Sequence, residues 1–340
     1  MMVIRPVEMT DLDDIVALAA KTGTGLTTLP NSPSHLKAKI EDSLGAFNKE
    51  DGDAPCDECY LFVLEDTETG QVVGTSGVVA AVGTRKPFYT YKLNTEVHYS
   101  KSIDVYRKLN FLTLTNDFTG ASEICTLFLS TDFRGGGNGI LLSKSRFLFM
   151  AQHPSRFGDR VCAEMRGVSD ENGQSPFWES VGRHFFGVDF ETADKENGQG
   201  NNQFIAELMP HHPVYIPMLS DEAQAVVGKV HEQTRPAVQM LKAEGFRYTG
   251  YVDIFDGGPT IEAPVESVRT IHDSLELEVE IGEPDGQTVS NAMISNTGLK
   301  DFRACLSKIA PPIEQKVVIS QECAKSLNVS SGDIVRVRFY

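Results

Sequence analysis

Thr126-Leu-Phe-Leu-Ser-Thr-Asp-Phe-Arg-Gly-Gly-Gly-Asn-Gly-Ile-Leu-Leu-Ser-Lys-Ser-Arg-Phe-Leu-Phe-Met150 reads as the end of a strand, a glycine turn and a helix in direct succession. Glu123 to Leu129 is short and rich in apolar, β-favouring residues, and Gly139 to Gln152 continues as a helix with no proline or further glycine inside it. Gly135, Gly136, Gly137 and Gly139 fall between the two. Glycine reaches positive φ without steric penalty and lets a bulky anion approach the main chain, so successive N–H groups at a helix start can point at phosphate oxygens. The stretch predicts a cradle for pyrophosphate.

Spacing separates the phosphate ligands. A Walker A loop ends in Gly-Lys-Ser/Thr, whereas Gly139 is followed by Ile140 and Leu141. The dinucleotide fingerprint places a third glycine three residues after the second, where this chain has Leu142. What remains is Arg134-x-x-Gly137-x-Gly139, which after a strand resembles the coenzyme A pyrophosphate loop of the GNAT acyltransferases. Taken alone, the same spacing also suits a glycine-rich surface turn without a ligand.

The 340 residues suffice for two or three domains, and 41% apolar with 23% charged residues is ordinary for a globular chain. A net charge of −16 argues against a broad nucleic-acid or anionic-membrane surface, since both need clustered Lys and Arg. The opening Met-Met-Val-Ile-Arg-Pro-Val-Glu runs into Asp11, Asp13 and Asp14, unlike a signal peptide. No apolar stretch approaches the ~18 residues of a membrane helix, so a cytoplasmic protein is expected. Six scattered cysteines predict reduced thiols. Cys56-Asp-Glu-Cys59 lacks a second ligand pair and reads as a loop before the strand Tyr60 to Leu64, His211-His212 reads as a loop pair, and no metal site is predicted.

Val3 to Val7 reads as a strand, and Thr10 to Asp14 as the cap and acidic first turn of a helix over Ile15 to Ala20. Tyr60 to Glu65 and Gln71 to Val82 read as a hairpin around the polar turn Asp66 to Gly70. Strand, helix, hairpin and then the Arg134 loop follow the GNAT order, and Arg160 to Gly167 reads as the next strand. Ser175-Pro-Phe-Trp-Glu-Ser-Val-Gly182 is a capped short helix before an aromatic strand, Phe185 to Phe190; Arg235-Pro to Gly245-Phe-Arg-Tyr248 repeats that cadence. The repetition suggests a duplication, with residues 1–200 a GNAT-like half carrying the loop and 201–265 an intertwined second half, degenerate in its cofactor loop. From 266 to 340 the texture changes to short strands, Leu275 to Ile281, Val317 to Ser320 and Ile334 to Phe339, with few helical signals. The expected fold is α+β: tandem GNAT-like acyl-CoA N-acyltransferase mixed sheets flanked by helices, with a small C-terminal β-rich segment.

Further segments sharpen the resemblance: Val3-Ile-Arg-Pro-Val-Glu8, Lys21-Thr-Gly-Thr-Gly-Leu-Thr-Thr28, Glu164-Met-Arg-Gly-Val-Ser-Asp170, Ser175-Pro-Phe-Trp-Glu179, Phe204-Ile-Ala-Glu-Leu-Met-Pro210 and Tyr251-Val-Asp-Ile-Phe-Asp-Gly-Gly-Pro259. Together they resemble the arginine N-succinyltransferase family closely over residues 1 to 270 and loosely beyond. The resemblance implies transfer of a succinyl group from succinyl-CoA, a co-substrate rather than a resident cofactor, to the α-amino group of L-arginine in arginine breakdown. It also implies an oligomer, of this chain or with a paralogous subunit. By motif, Leu127 matches the family's succinyl-CoA contact and His231, in Val230-His-Glu-Gln-Thr-Arg-Pro236, its acid/base histidine. Glu232 stands where proline is expected after that histidine, and its charge is expected to raise the imidazole pKa.

Acylating an amine with a thioester needs a free amine, a polarised carbonyl and a proton for the leaving thiolate. His231 has the intrinsic pKa to move that proton. The resemblance implies that a main-chain N–H at Leu127 polarises the carbonyl, as free backbone donors do for a cofactor lying beside a strand that stops pairing. Arg134, Gly135, Gly137, Asn138 and Gly139 are the expected cofactor-binding residues. Glu164, Arg166, Asp170 and Glu179 are candidates for binding arginine, whose guanidinium calls for carboxylates and whose carboxylate calls for a cation. Cys125, two residues before Leu127, is expected on the same strand face, which leaves a succinyl-cysteine route conceivable.

Overall fold

The protein's structure, a computed structural model, describes residues 1–22, 28–50, 52–170, 173–198, 203–283 and 289–340. Its strands are β1 (Met2–Pro6), β2 (Cys59–Asp66), β3 (Gln71–Val79), β4 (Thr90–Ser100), β5 (Val105–Thr115), β6 (Ser122–Leu129), β7 (Arg160–Glu164), β8 (Val214–Tyr215), β9 (Arg247–Val252), β10 (Pro259–Pro264), β11 (Leu275–Ile281), β12 (Ser290–Ser295), β13 (Ala304–Ile309), β14 (Lys316–Ile319) and β15 (Ile334–Phe339). The helices are α1 (Leu12–Ala19), α2 (Pro33–Asn48), α3 (Asn138–Gln152), α4 (Pro176–Ser180), α5 (Gly182–Phe186), α6 (Phe190–Gly198), α7 (Gln203–Leu208), α8 (Asp221–Val226), α9 (Arg235–Ala243), α10 (Arg269–His272) and α11 (Gln321–Leu327).

All the strands belong to one mixed sheet, in the order β14-β11-β15-β12-β13-β1-β2-β3-β6-β7-β10-β9-β4-β5-β8. Neighbours run antiparallel except β6 with β7 and β11 with β14. Alternation along β2 divides the core. Tyr60, Phe62 and Leu64 face α3, where Phe47, Phe149, Phe157 and Phe302 join them edge to face; Leu61 and Val63 face α1 and α2. The architecture is α+β with helices on both faces of the sheet and a β-rich C-terminal part, the expected fold class.

Helix α9 and strands β9 and β10, from the segment read as a second half, join this same sheet beside β7. Phe185 to Phe190, expected as a strand, is helical at both ends around Gly187, which takes the left-handed conformation (φ 69°). Its aromatic residues are packed rather than strand-paired: Phe186 and Phe190 lie against Trp178, which stacks on Phe255 at 5.6 Å. Gly182 allows this, since a Cβ there would sit 2.2 Å from the Trp178 ring. In the C-terminal part, α11 was not anticipated. Its Cys323, Ala324 and Leu327 are buried against β11, β12, β13 and β15 in a second core that also takes Val3 of β1. Antiparallel pairing of Val3 with Cys305 and of Ile4 with Ala304 joins that core to the rest of the sheet.

Candidate active site

Strands β6 and β7 begin as parallel neighbours, pairing Ser122 with Val161 and Glu123 with Cys162, and then part. From residue 124 onward β6 keeps, among the described residues, only β3 as a partner, and β7 keeps only β10. The sheet is therefore split at its centre, and Leu127 has no partner strand on the split side. The register between β3 and β6 also slips between Thr75 and Gly77, at a bulge centred on Thr126. Thr126 is buried at φ 54°, a conformation that costs a non-glycine residue about 1–3 kcal/mol and must be held by its surroundings. Its N–H donates to Thr28 Oγ1 at 3.2 Å, its carbonyl accepts from Thr75 Oγ1 at 2.9 Å, and Lys39 Nζ donates to its hydroxyl at 2.9 Å. Beneath the bulge the buried Arg146 guanidinium donates to the carbonyls of Gly77 and Cys125, and desolvation pulls its pKa down to about 10.

The bulge reverses the alternation. Glu123 and Cys125 pair with Val79 and Gly77 on the face of α1 and α2, whereas Leu127 and Leu129 pack into the α3 core. Cys125 therefore does not share a face with Leu127, contrary to the simple two-residue rule. Its sulfur hydrogen-bonds with Cys59, and the pair splits: Cys59 falls to about 7, while Cys125 is driven well above the usual thiol range by that hydrogen bond and by burial.

Below the split, β6 leads through Thr131–Phe133 to the glycine loop. Gly135, Gly136 and Gly137 take φ of 122°, 58° and 87° in succession, and Gly137 caps α3. The carbonyls of Gly135 and Gly137 accept from Asn138 N–H at 3.0 Å and Leu141 N–H at 2.9 Å, and Asn138 Nδ2 donates to the Phe133 carbonyl at 3.0 Å. After Asn138, the N–H groups of Gly139 and Ile140 lie ahead of the intrahelical ladder and can meet an anion. Arg134 is exposed, and among the described residues no carboxylate pairs with it.

Across the split, three segments are tied together by their main chains. His231 N–H donates to the Arg166 carbonyl at 2.9 Å, Gly167 bridges Val230, and Gly228 N–H donates to the Gly257 carbonyl at 2.8 Å. Asp256 accepts from the N–H groups of Gly167 at 2.6 Å and Gly258 at 2.8 Å. Gly258 is required here because a Cβ would fall 2.1 Å from the Met165 carbonyl oxygen. Asp253 accepts from Phe255 N–H at 2.7 Å and Asp256 N–H at 2.8 Å.

This assembly gathers carboxyl groups at the split. Burial, then the charges of Asp253, Glu123 and Asp256, pushes Glu164 well above the usual carboxylate range. Glu123 is pushed up to about 8 by burial and then by Cys125, and Asp253 is raised by burial. His231 is half-buried; its Nδ1 accepts the Gln233 N–H at 3.2 Å, which leaves the proton of the neutral ring on Nε2. Its pKa is lowered, not raised, because burial and the Arg166 charge outweigh Glu232, which is drawn into an exposed ion pair with Arg235 at 2.7 Å.

The structure thus brings Glu164, Arg166 and His231 to one place. It does not bring Asp170 and Glu179 there. Asp170 is exposed and its carboxylate accepts Gln174 N–H in a turn, and Glu179 pairs with Arg183 at 3.1 Å along the short helices. Gly23 to Thr27 of the Lys21–Thr28 motif lie outside the described residues. Sequence reasoning passed over Glu123 and Asp253. Asp253 stood inside a quoted motif, Asp253-Ile-Phe-Asp256-Gly-Gly, whose paired acids were signal enough.

A split parallel pair beside a glycine-capped helix, in a sheet ordered β1-β2-β3-β6-β7-β10-β9, defines an acyl-CoA N-acyltransferase of the GNAT kind. Residues 2–270 match the family described as arginine N-succinyltransferase beta subunit, and residues 275–338 match that family's C-terminal domain. The chain belongs to the arginine N-succinyltransferase family. It is 48% identical over 338 residues to the arginine N-succinyltransferase of Escherichia coli strain 55989, covering 99% of this chain and 97% of that one, and equally to that of Shigella flexneri. The arginine/ornithine succinyltransferase subunit AI of Pseudomonas aeruginosa superposes with a TM-score of 0.91 at 37% identity, over 100% of this chain and 98% of that chain.

Proposed function

We propose that the protein transfers the succinyl group of succinyl-CoA to the α-amino group of L-arginine, giving N2-succinyl-L-arginine and CoA, in arginine catabolism in the cytoplasm. The observation that carries this reading is the split between β6 and β7, with the glycine turn that caps α3 on one side and a cluster of buried carboxyl groups on the other. The pyrophosphate of CoA lies on the Gly135–Gly139 turn and the start of α3, with Arg134 as its counter-charge. The thioester then runs beside Leu127, whose main chain faces no β7 partner and can polarise the carbonyl. Glu164, with Glu123 and Asp253, receives the cationic acceptor, and Arg166 offers a positive charge to its carboxylate. An α-amino group titrating near 8 is only about one tenth free base at pH 7. The ammonium of the acceptor, once bound, favours the ionised form of the carboxyl cluster beside it, and a carboxylate so formed can take the amine's proton. As the C–N bond forms and the C–S bond breaks, one proton passes from nitrogen to sulfur. His231 is assigned to pass it, the ring taking up a proton before it gives one to the sulfur, so that it ends in the neutral form in which it began.

Residues 1–200 carry the cofactor loop in this scheme, 201–265 the acid/base histidine and 266–340 the β-rich support; the chain works as an oligomer. A second acceptor, ornithine, is favoured by the name of the Pseudomonas relative. Release of CoA thiol from succinyl-CoA measures both. Arginine should support turnover well above ornithine, and His231→Ala should lower kcat by about 10²–10⁴-fold, the usual size of acid/base catalysis. Succinyl-CoA binding with no thiol release on either amine would refute the reading.

A further inference from the structure

Strands β4 and β5 pair along their whole length, from Thr90 with Thr115 to Ser100 with Val105. Only their base is held by the rest of the sheet: β9 pairs with Tyr91 and Lys92, and β8 pairs with Phe111 and Leu112. Beyond that point, among the described residues, the two strands run on with no sheet neighbour on either edge. The six residues from Thr95 to Ser100 at ~3.3 Å each carry the ribbon roughly 20 Å past its last support. A two-stranded ribbon alone is marginally stable in water, and open edges invite pairing.

Its two faces differ. One face carries Leu93 opposite Leu112, Thr95 opposite Asn110, Val97 opposite Lys108 and Tyr99 opposite Tyr106. At the base this face is covered, with Leu112 fully buried among Tyr91, Phe177 and Trp178. Towards the tip the same face carries large exposed side chains around Lys108: Val97 is 54% exposed, Tyr99 62%, Tyr106 63% and, in the turn, Ile103 70%. Tyrosine with aliphatic neighbours is the composition of an interface core. The ribbon beyond its support carries Lys101, Arg107 and Lys108 against Glu96 and Asp104, a net positive charge in a chain whose net charge is −16. The surface most complementary to it in sign is the acidic body of another molecule of the same protein.

We infer that the β4–β5 ribbon is an arm that packs its Val97, Tyr99 and Tyr106 face onto a second copy of this chain. The inference rests on the oligomeric reading above but not on the chemistry of the site. Light scattering after size exclusion tests it on the full chain at micromolar concentration. The wild type should have at least twice the 37.3 kDa of one chain, and Tyr99→Glu with Tyr106→Glu should reduce it to one chain with unchanged circular dichroism. Lys101→Glu with Lys108→Glu should weaken association at low salt and lose that effect at high salt, where surface charges are screened. A single-chain wild type would overturn both the oligomeric reading and the arm. A wild-type oligomer that survives Tyr99→Glu with Tyr106→Glu would overturn the arm alone. Thiol release from succinyl-CoA, measured on the same samples, reports separately on the catalytic reading.

Discussion

Glu123 lies half-buried on β6 with its carboxyl pushed up to about 8, from an ordinary value of 4.5, chiefly by burial and then by Cys125. The folded state holds this proton more tightly than the unfolded chain, so the ligand-free protein loses stability as pH rises between those values. Thermal unfolding near pH 5 and near pH 9 should find Glu123→Gln gaining on the wild type only at the higher pH; equal differences at both would contradict the burial argument. The same substitution should raise the KM for arginine more at pH 9, where Glu123 is ionised, than at pH 7. Glu123 was hard to read beforehand. A glutamate at the start of an alternating strand reads as an outward, solvated residue, and only the parting of β6 from β7 turns that face into a site. Thr126 was harder still, because positive φ at a threonine has no compositional mark.

At the scale of elements, the glycine loop was legible because backbone conformation, strand ending and helix start all leave marks in sequence. What supports it was not. A Cβ on Gly137 would meet Leu306 Cδ1 of β13 at 2.6 Å, so the C-terminal strands form the floor under the loop. Gly137→Val should raise the KM for succinyl-CoA by roughly tenfold, about 1.4 kcal/mol of binding, and leave that for arginine nearly unchanged. Leu306→Ala should restore part of the loss in Gly137→Ala; no recovery in steady-state kinetics would mean that backbone strain alone accounts for it. The aromatic run Phe185 to Phe190 misled for a related reason. Its spacing fits a strand, but Trp178 and Phe255 offer those rings a better packing partner than an edge strand would.

Across the whole molecule, β13 covers the edge of β1, and the core beneath α11 includes Val3. A chain ending at residue 270 should therefore expose that edge and fail to give soluble, cooperatively unfolding protein; a sharp thermal transition from it would show that the first 270 residues stand alone. Sequence texture marked residues 266–340 as different but could not reveal this dependence, since long-range pairing such as Val3 with Cys305 leaves no local trace. The bulge at Thr126 also bears on the order of events. Because β6 changes sides there, Leu127 and the Cys125 sulfur lie on opposite faces of one strand. Under the proposed roles the succinyl group has nowhere to wait between partners, and both substrates must be present together when it moves.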